Sequence, residues 1–121
     1  MSEVKFDFHR LSAYQKASQL HLDIYKLQES LKKHPYLLDQ LNRACASILL
    51  NIAEGSGRES RKERKHFLSF SRGSVFECVA IFDMLKSMNI VDGERHNHLL
   101  AISDEISRLL YTMILNLKRY P

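Results

Sequence analysis

The chain has 121 residues and a mass of 14.1 kDa, which predicts a single domain over residues 1–121 with room for a sizeable core. Hydrophobic residues make up 45% and charged residues 26%, the balance of a soluble globular protein, and 4 glycines with 2 prolines are too few for a turn-rich all-β fold. The net charge of +4 is concentrated: from Arg58 to Lys65 five basic residues stand against Glu59 and Glu63, so that short run carries +3.

The N-terminal MSEVKFDFHR has no apolar run of signal-peptide length, and no segment reaches the ~18 apolar residues of a membrane span. A cytoplasmic location is therefore expected. Helix 1 is predicted from about Ser12 to Lys33, because Leu11, Tyr14, Ala17, Leu20, Ile24, Leu27 and Leu31 recur on one helical face. Lys32 and Lys33 suit its C-terminal end, and Pro35 stops it. Helix 2 is predicted from about Tyr36 to Glu54, with Gly55 and Gly57 as candidate C-caps. Its stripe of Leu37, Leu41, Ala44, Cys45, Ile48 and Ile52 faces a core, while Ala46, Leu49, Leu50 and Ala53 widen the apolar arc. What stays polar is a narrow strip of Gln40, Arg43, Ser47, Asn51 and Glu54.

Helix 3 is predicted from an N-cap at Ser60, with Glu63 completing a capping box, to about Asn89. Phe67, Ser71, Ser74, Cys78, Phe82 and Leu85 form its expected core stripe, and Ser69, Gly73, Phe76 and Ala80 a second strip of small residues plus one phenylalanine. Asp92 is the expected cap of helix 4, which carries Leu99, Ile102, Ile106, Leu109, Met113 and Leu117 to the end of the chain. Four amphipathic helices with short loops predict an all-α, up-down antiparallel four-helix bundle. The apolar excess of helix 2 and the Gly73–Phe76 strip predict that copies of the chain associate.

Few residues point to chemistry. The glycines of "EGSGRES" match neither a Walker loop nor a Rossmann fingerprint, which leaves a helix corner or, less favoured, a phosphate cradle at the start of helix 3. His96 and His98 stand two apart, so on a helix they point about 200° from each other and cannot share one ion; they read as solvated. Serines lack a G-x-S-x-G elbow, a di-iron site is not expected, and Cys45 and Cys78 read as reduced core thiols. The chain is thus expected to have no catalytic residues, no metal and no cofactor. The basic run is the most informative candidate: Arg58, Arg61, Lys62, Lys65 and Arg72 form a candidate nucleic-acid surface, with ordinary solvated helix ends as the competing reading.

Residues 40 to 77, "QLNRACASILLNIAEGSGRESRKERKHFLSFSRGSVFE", resemble the small four-helix-bundle proteins encoded by intervening sequences within bacterial 23S rRNA genes, often labelled ribosomal proteins. The matching residues are Gln40, Arg43, Ala44, Ser47, Ile48, Asn51 to Gly55, Arg58, Glu63, Phe67, Leu68, Gly73, Ser74 and Glu77. The resemblance implies an up-down bundle assembling as a pentameric ring. Relatives include the accessory variability determinants of diversity-generating retroelements, basic barrels that associate with nucleic acid and a reverse transcriptase. Where the family commonly has a proline before "NIAEG", this chain has Leu49 and Leu50, which implies a straighter helix 2. Arg43, Ser47, Asn51, Glu54, Gly55, Gly73, Phe76 and Glu77 are then the expected assembly motif, and the polar strip suits a hydrogen-bonded network or charge pair between helices or subunits. The expected function is a non-catalytic oligomeric adaptor or scaffold engaging structured RNA, the alternative a purely protein-binding module.

Overall fold

The computed structural model describes residues 3–119, so the last two residues of the predicted helix 4 lie outside the described part. A 3-10 helix, Asp7–Arg10, leads into α1 (Ser12–Tyr25), α2 (Pro35–Ser56), α3 (Arg61–Ser87) and α4 (Gly93–Arg119). No strand occurs among the described residues. Each helix packs on its neighbours in sequence, α4 closes back on α1, and the diagonal pairs α1–α3 and α2–α4 do not approach. That pattern is an up-down bundle with four sides.

Burial follows the apolar periodicity. Ala17, Leu20, Ile24, Leu27 and Leu31 meet Leu37, Leu41, Ile48 and Ile52 across the core, with Phe82 its largest fully buried side chain. Burying a side chain of that kind contributes roughly 1.5–3 kcal/mol, and this shared interior holds the four helices together.

Two boundaries differ from expectation in ways that matter to the packing. Regular α-helix ends at Tyr25, not Lys33. The following turns use i→i−3 bonds, such as Leu27 N–H to the Ile24 carbonyl at 2.9 Å and Gln28 N–H to the Tyr25 carbonyl at 3.2 Å. The four-residue spacing of Leu27 and Leu31 still turns both inward. Pro35 does not merely stop the preceding segment; it is the first residue of α2, where its missing N–H costs nothing.

At the α2–α3 corner, neither glycine acts through a left-handed conformation. Gly57 caps α2 at φ −84°, and Gly55 lies buried inside the last turn. A Cβ on Gly55 would stand 2.9 Å from the Phe67 Cβ and 3.6 Å from the Arg64 carbonyl. Gly55 is needed for close approach of two helices. Ser60 does cap α3 as expected, its hydroxyl accepting from the Glu63 N–H at 3.0 Å. At the other end Asn89 takes φ +60°, and Ile90 N–H reaches the Leu85 carbonyl at 2.9 Å, a Schellman closure. Asp92 caps α4 through the Arg95 N–H at 2.7 Å.

Two core stripes are rotated relative to the predicted ones. On α3 Leu68 and Val75 are buried where Phe67 and Ser74 were expected, and on α4 Leu110 and Ile114 replace Leu109 and Met113. The displaced residues line the shoulders of the core, because 27-residue helices drift away from a strict repeat of seven.

Gly55→Ala should therefore cost about 1–2 kcal/mol net, overpacking outweighing the gain in helix propensity. Gly73→Ala, where nothing lies within 4 Å, should stabilise the folded chain by about 0.5–1 kcal/mol. Chemical denaturation of the two variants checks both signs. Cys45 and Cys78 are free and buried, and burial pushes the Cys45 thiol up from 9.0 to about 11 and the Cys78 thiol higher still. As pH rises past 9.0 the unfolded chain ionises first, so stability should fall from there to about pH 11, by about 2–3 kcal/mol for Cys45. Urea titrations across that window test this, and Cys45→Ala should flatten the slope.

Candidate assembly and nucleic-acid surface

The residues singled out in the sequence separate into three groups. The first is the α2–α3 seam. Ser74 donates to the Ser47 hydroxyl at 2.7 Å, and the Asn51 amide donates to that hydroxyl at 2.9 Å and to the Ser47 carbonyl at 2.8 Å. Deeper in, the Ser71 hydroxyl donates to the Ile48 carbonyl at 2.8 Å. The polar strip of α2 thus becomes a hydrogen-bonded network between helices, as its spacing suggested. The charged members of the strip take a different course. Arg43 pairs with Asp39 at 2.9 Å and Glu54 with Arg58 at 2.9 Å, both within a helical turn and substantially exposed. Glu77 is exposed, with no ion pair among the described residues.

The second group is the corner itself. The Arg58 guanidinium lies 2.9 Å from Glu54, 3.9 Å from Glu63 and 5.0 Å from the centre of the Phe67 ring. Arg64 donates through Nε to the Arg58 carbonyl. Arg58 is therefore a strut that ties the end of α2 to the start of α3. Arg72 also leaves the predicted basic face. Its Nε donates to the Ser107 carbonyl of α4 at 3.3 Å, and its guanidinium sits 5.0 Å from the Phe76 ring and 5.2 Å from the Tyr111 ring. The sequence signal for this was the Phe four residues on, one turn along the same helix face.

The third group is what remains of the basic run. Arg61, Lys62 and Lys65 are exposed and make no ion pair or hydrogen bond among the described residues. Beside them the His66 ring stands edge-on to Phe70 at 4.4 Å. Phe70 is 54% exposed, and the apolar side chains Phe76 (57%), Leu50 (66%) and Tyr111 (50%) are also open to solvent in the single chain.

His96 and His98 diverge as the helical geometry requires, but they are not simply solvated. His96 reaches Asp83 of α3 at 2.8 Å, and His98 reaches Asp23 of α1 at 2.9 Å, so α4 is clipped to both neighbours. Glu63 and His66 do carry the Glu-x-x-His spacing, so spacing alone does not exclude a di-iron site. Their surroundings argue against one: both lie on the exposed start of α3, Glu63 turned to Arg58 and His66 to Phe70. No group of three metal ligands gathers among the described residues. A cleft of about 340 Å³ at the end of the bundle, lined by Asp7, Gly55, Arg64, Leu68, Met113 and Asn116, is mostly apolar and brings no catalytic groups together. No described helix is long and apolar enough to cross a membrane.

Arg72→Ala removes a charged hydrogen bond and two ring contacts, and should lower stability by about 1–2 kcal/mol. Glu54→Gln breaks a half-exposed i,i+4 pair in the single chain and should cost only about 0.3–0.5 kcal/mol. Thermal melts of the two variants, compared with wild type, check this ranking.

A crystal structure of a protein of unknown function from the S23 ribosomal protein family of Bacteroides thetaiotaomicron VPI-5482 is similar, with a TM-score of 0.77 and 22% identity. The similarity covers 84% of this chain and 97% of that one, and at this identity it shows the fold. No curated protein matches. A sequence model of the 23S rRNA-intervening sequence proteins matches residues 9–112, a span that includes the seam, the corner and the three unpaired cations. The chain belongs to the 23S rRNA-intervening sequence protein family.

Proposed function

We propose that this protein is a non-catalytic cytoplasmic scaffold that associates into a homo-oligomer, a pentamer by family resemblance, and binds the phosphate backbone of RNA through Arg61, Lys62 and Lys65. The observation that carries the reading is the position of these cations. Arg61 and Lys62 are the first two residues of α3, where the helix dipole disfavours positive charge by roughly 0.3–1 kcal/mol each. Neither has an internal carboxylate partner among the described residues to offset that. Folding gains nothing from them there, whereas an anion gains from cations and helix amides together. Of the neighbouring acids, Glu54 and Glu63 both face Arg58, and Glu59, exposed and unpaired among the described residues, is already counted in the +3 of the run.

Association is supported by the apolar surface left open on one chain, chiefly Phe76, Tyr111 and Leu115 with Gly73 and Ser69 beside them. Small residues there admit a close partner, and repeating the basic corner around an oligomer would set several +3 patches on one polyanion.

Light scattering should give a mass several times 14.1 kDa at micromolar concentration; a monomer would overturn the assembly. RNA binding should weaken steeply with salt. The log–log slope should be at least about −2 for single strands, from three phosphate contacts at about −0.7 each. Replacing Arg61, Lys62 and Lys65 together by Ser should abolish binding at low salt and leave the melting temperature unchanged or slightly raised. Equal binding by wild type and variant, or none by wild type, would move the function to a protein partner.

A further inference from the structure

The basic start of α3 is not bare charge. Lys62, His66 and Phe70 follow one another at intervals of four residues, a single row on the outside of the helix, with Arg61 and Lys65 alongside. The Phe70 ring is held edge-on by His66 at 4.4 Å and 82°, and His66 in turn meets Phe67 at 6.1 Å and 80°. Phe67 lies against the Arg58 guanidinium at 5.0 Å. The result is a braced aromatic ladder running outward from the corner, whose last ring, Phe70, is more than half exposed. Two further exposed rings, Phe76 and Tyr111, gather round Arg72 on the α4 side and form a separate cluster.

This ladder rests on the backbone-binding reading above and narrows its substrate. We propose that the row from Lys62 to Phe70 is a base-stacking platform for single-stranded nucleic acid, with Phe70 as the ring on which a base stacks. Cations on the row hold phosphates, and an open ring beside them offers a π-face that only an unstacked base can use. A duplex keeps its bases sealed and gains nothing from Phe70. Eight residues of helix span ~12 Å, the length of about three stacked nucleotides. A second copy related by a two-fold axis is a poor occupant of the row, since it would bring the same basic patch against three unpaired cations.

The test uses the full chain at fixed low salt with labelled polyuridylate, oligothymidylate and an RNA duplex of equal length. Wild type should bind the single strands more tightly than the duplex. Phe70→Ala should weaken single-strand binding roughly 5- to 150-fold and leave duplex binding unchanged. The chain has no tryptophan, so Phe70→Trp places a lone reporter at the site; it should keep its affinity and lose emission as the single strand saturates. Phe70 is exposed, so both variants should fold, which circular dichroism melts check. If single-strand binding is lost in the Arg61/Lys62/Lys65 triple Ser variant but unaffected by Phe70→Ala, the backbone reading stands and the platform is overturned. Failure of wild type to bind any of the probes overturns both. A fall in oligomer mass on Phe70→Ala with single-strand binding intact also overturns the platform and assigns Phe70 to assembly.

Discussion

The contact between Gly55 and Phe67 governs the rest of this bundle. Where a Cβ would intrude to 2.9 Å, α2 and α3 come together with a hydrogen atom in place of a side chain. The same closeness is sustained along the seam by small polar residues, as Ser71 reaches the Ile48 carbonyl and Ser74 reaches Ser47. A buried hydroxyl needs a partner, and here each finds one on the opposite helix, so satisfying the polar groups and positioning the helices are the same event. With α3 held in that register, Arg72 is aimed across the bundle at α4.

Closing the corner also sorts the charges. The Arg58 strut takes up both Glu54 and Glu63, and the Arg64 side chain is spent on the Arg58 carbonyl. A run that reads in sequence as mixed charge becomes a neutralised inner layer and an outer row of Arg61, Lys62 and Lys65. These three face solvent at the positive end of the α3 dipole, and the field there is more concentrated than a net charge of +4 suggests. Of the two acids within the run, Glu63 turns to Arg58, and Glu59 alone stays exposed and, among the described residues, unpaired against the outer cations.

Membership of the 23S rRNA-intervening sequence family accounts for the architecture, and the structural similarity at 22% identity carries the fold and no more. A fold of this kind can host many roles, so any binding chemistry resides in particular side chains and not in the bundle. Ser47, Asn51, Gly55, Arg58 and Ser74 build the seam and corner, and the cations that follow are left over by that construction.

The number of helices, their order and most of the core were legible in the sequence, because a 3.6-residue period, Pro35, Ser60 and Asp92 act locally and do not depend on what packs where. The hydrogen-bonding strip of α2 was legible for the same reason. Three things were decided only in three dimensions. Gly55 reads as a helix stop, and its true role, admitting the Phe67 side chain, needs the second helix to be visible. Arg72 reads as part of a basic face until α4 supplies the Ser107 carbonyl and the Tyr111 ring. His96 and His98 read as free until α3 and α1 bring Asp83 and Asp23 beside them. In each case the partner lies at least 12 residues away, beyond the reach of any local pattern, and long-range proximity is what folding itself creates.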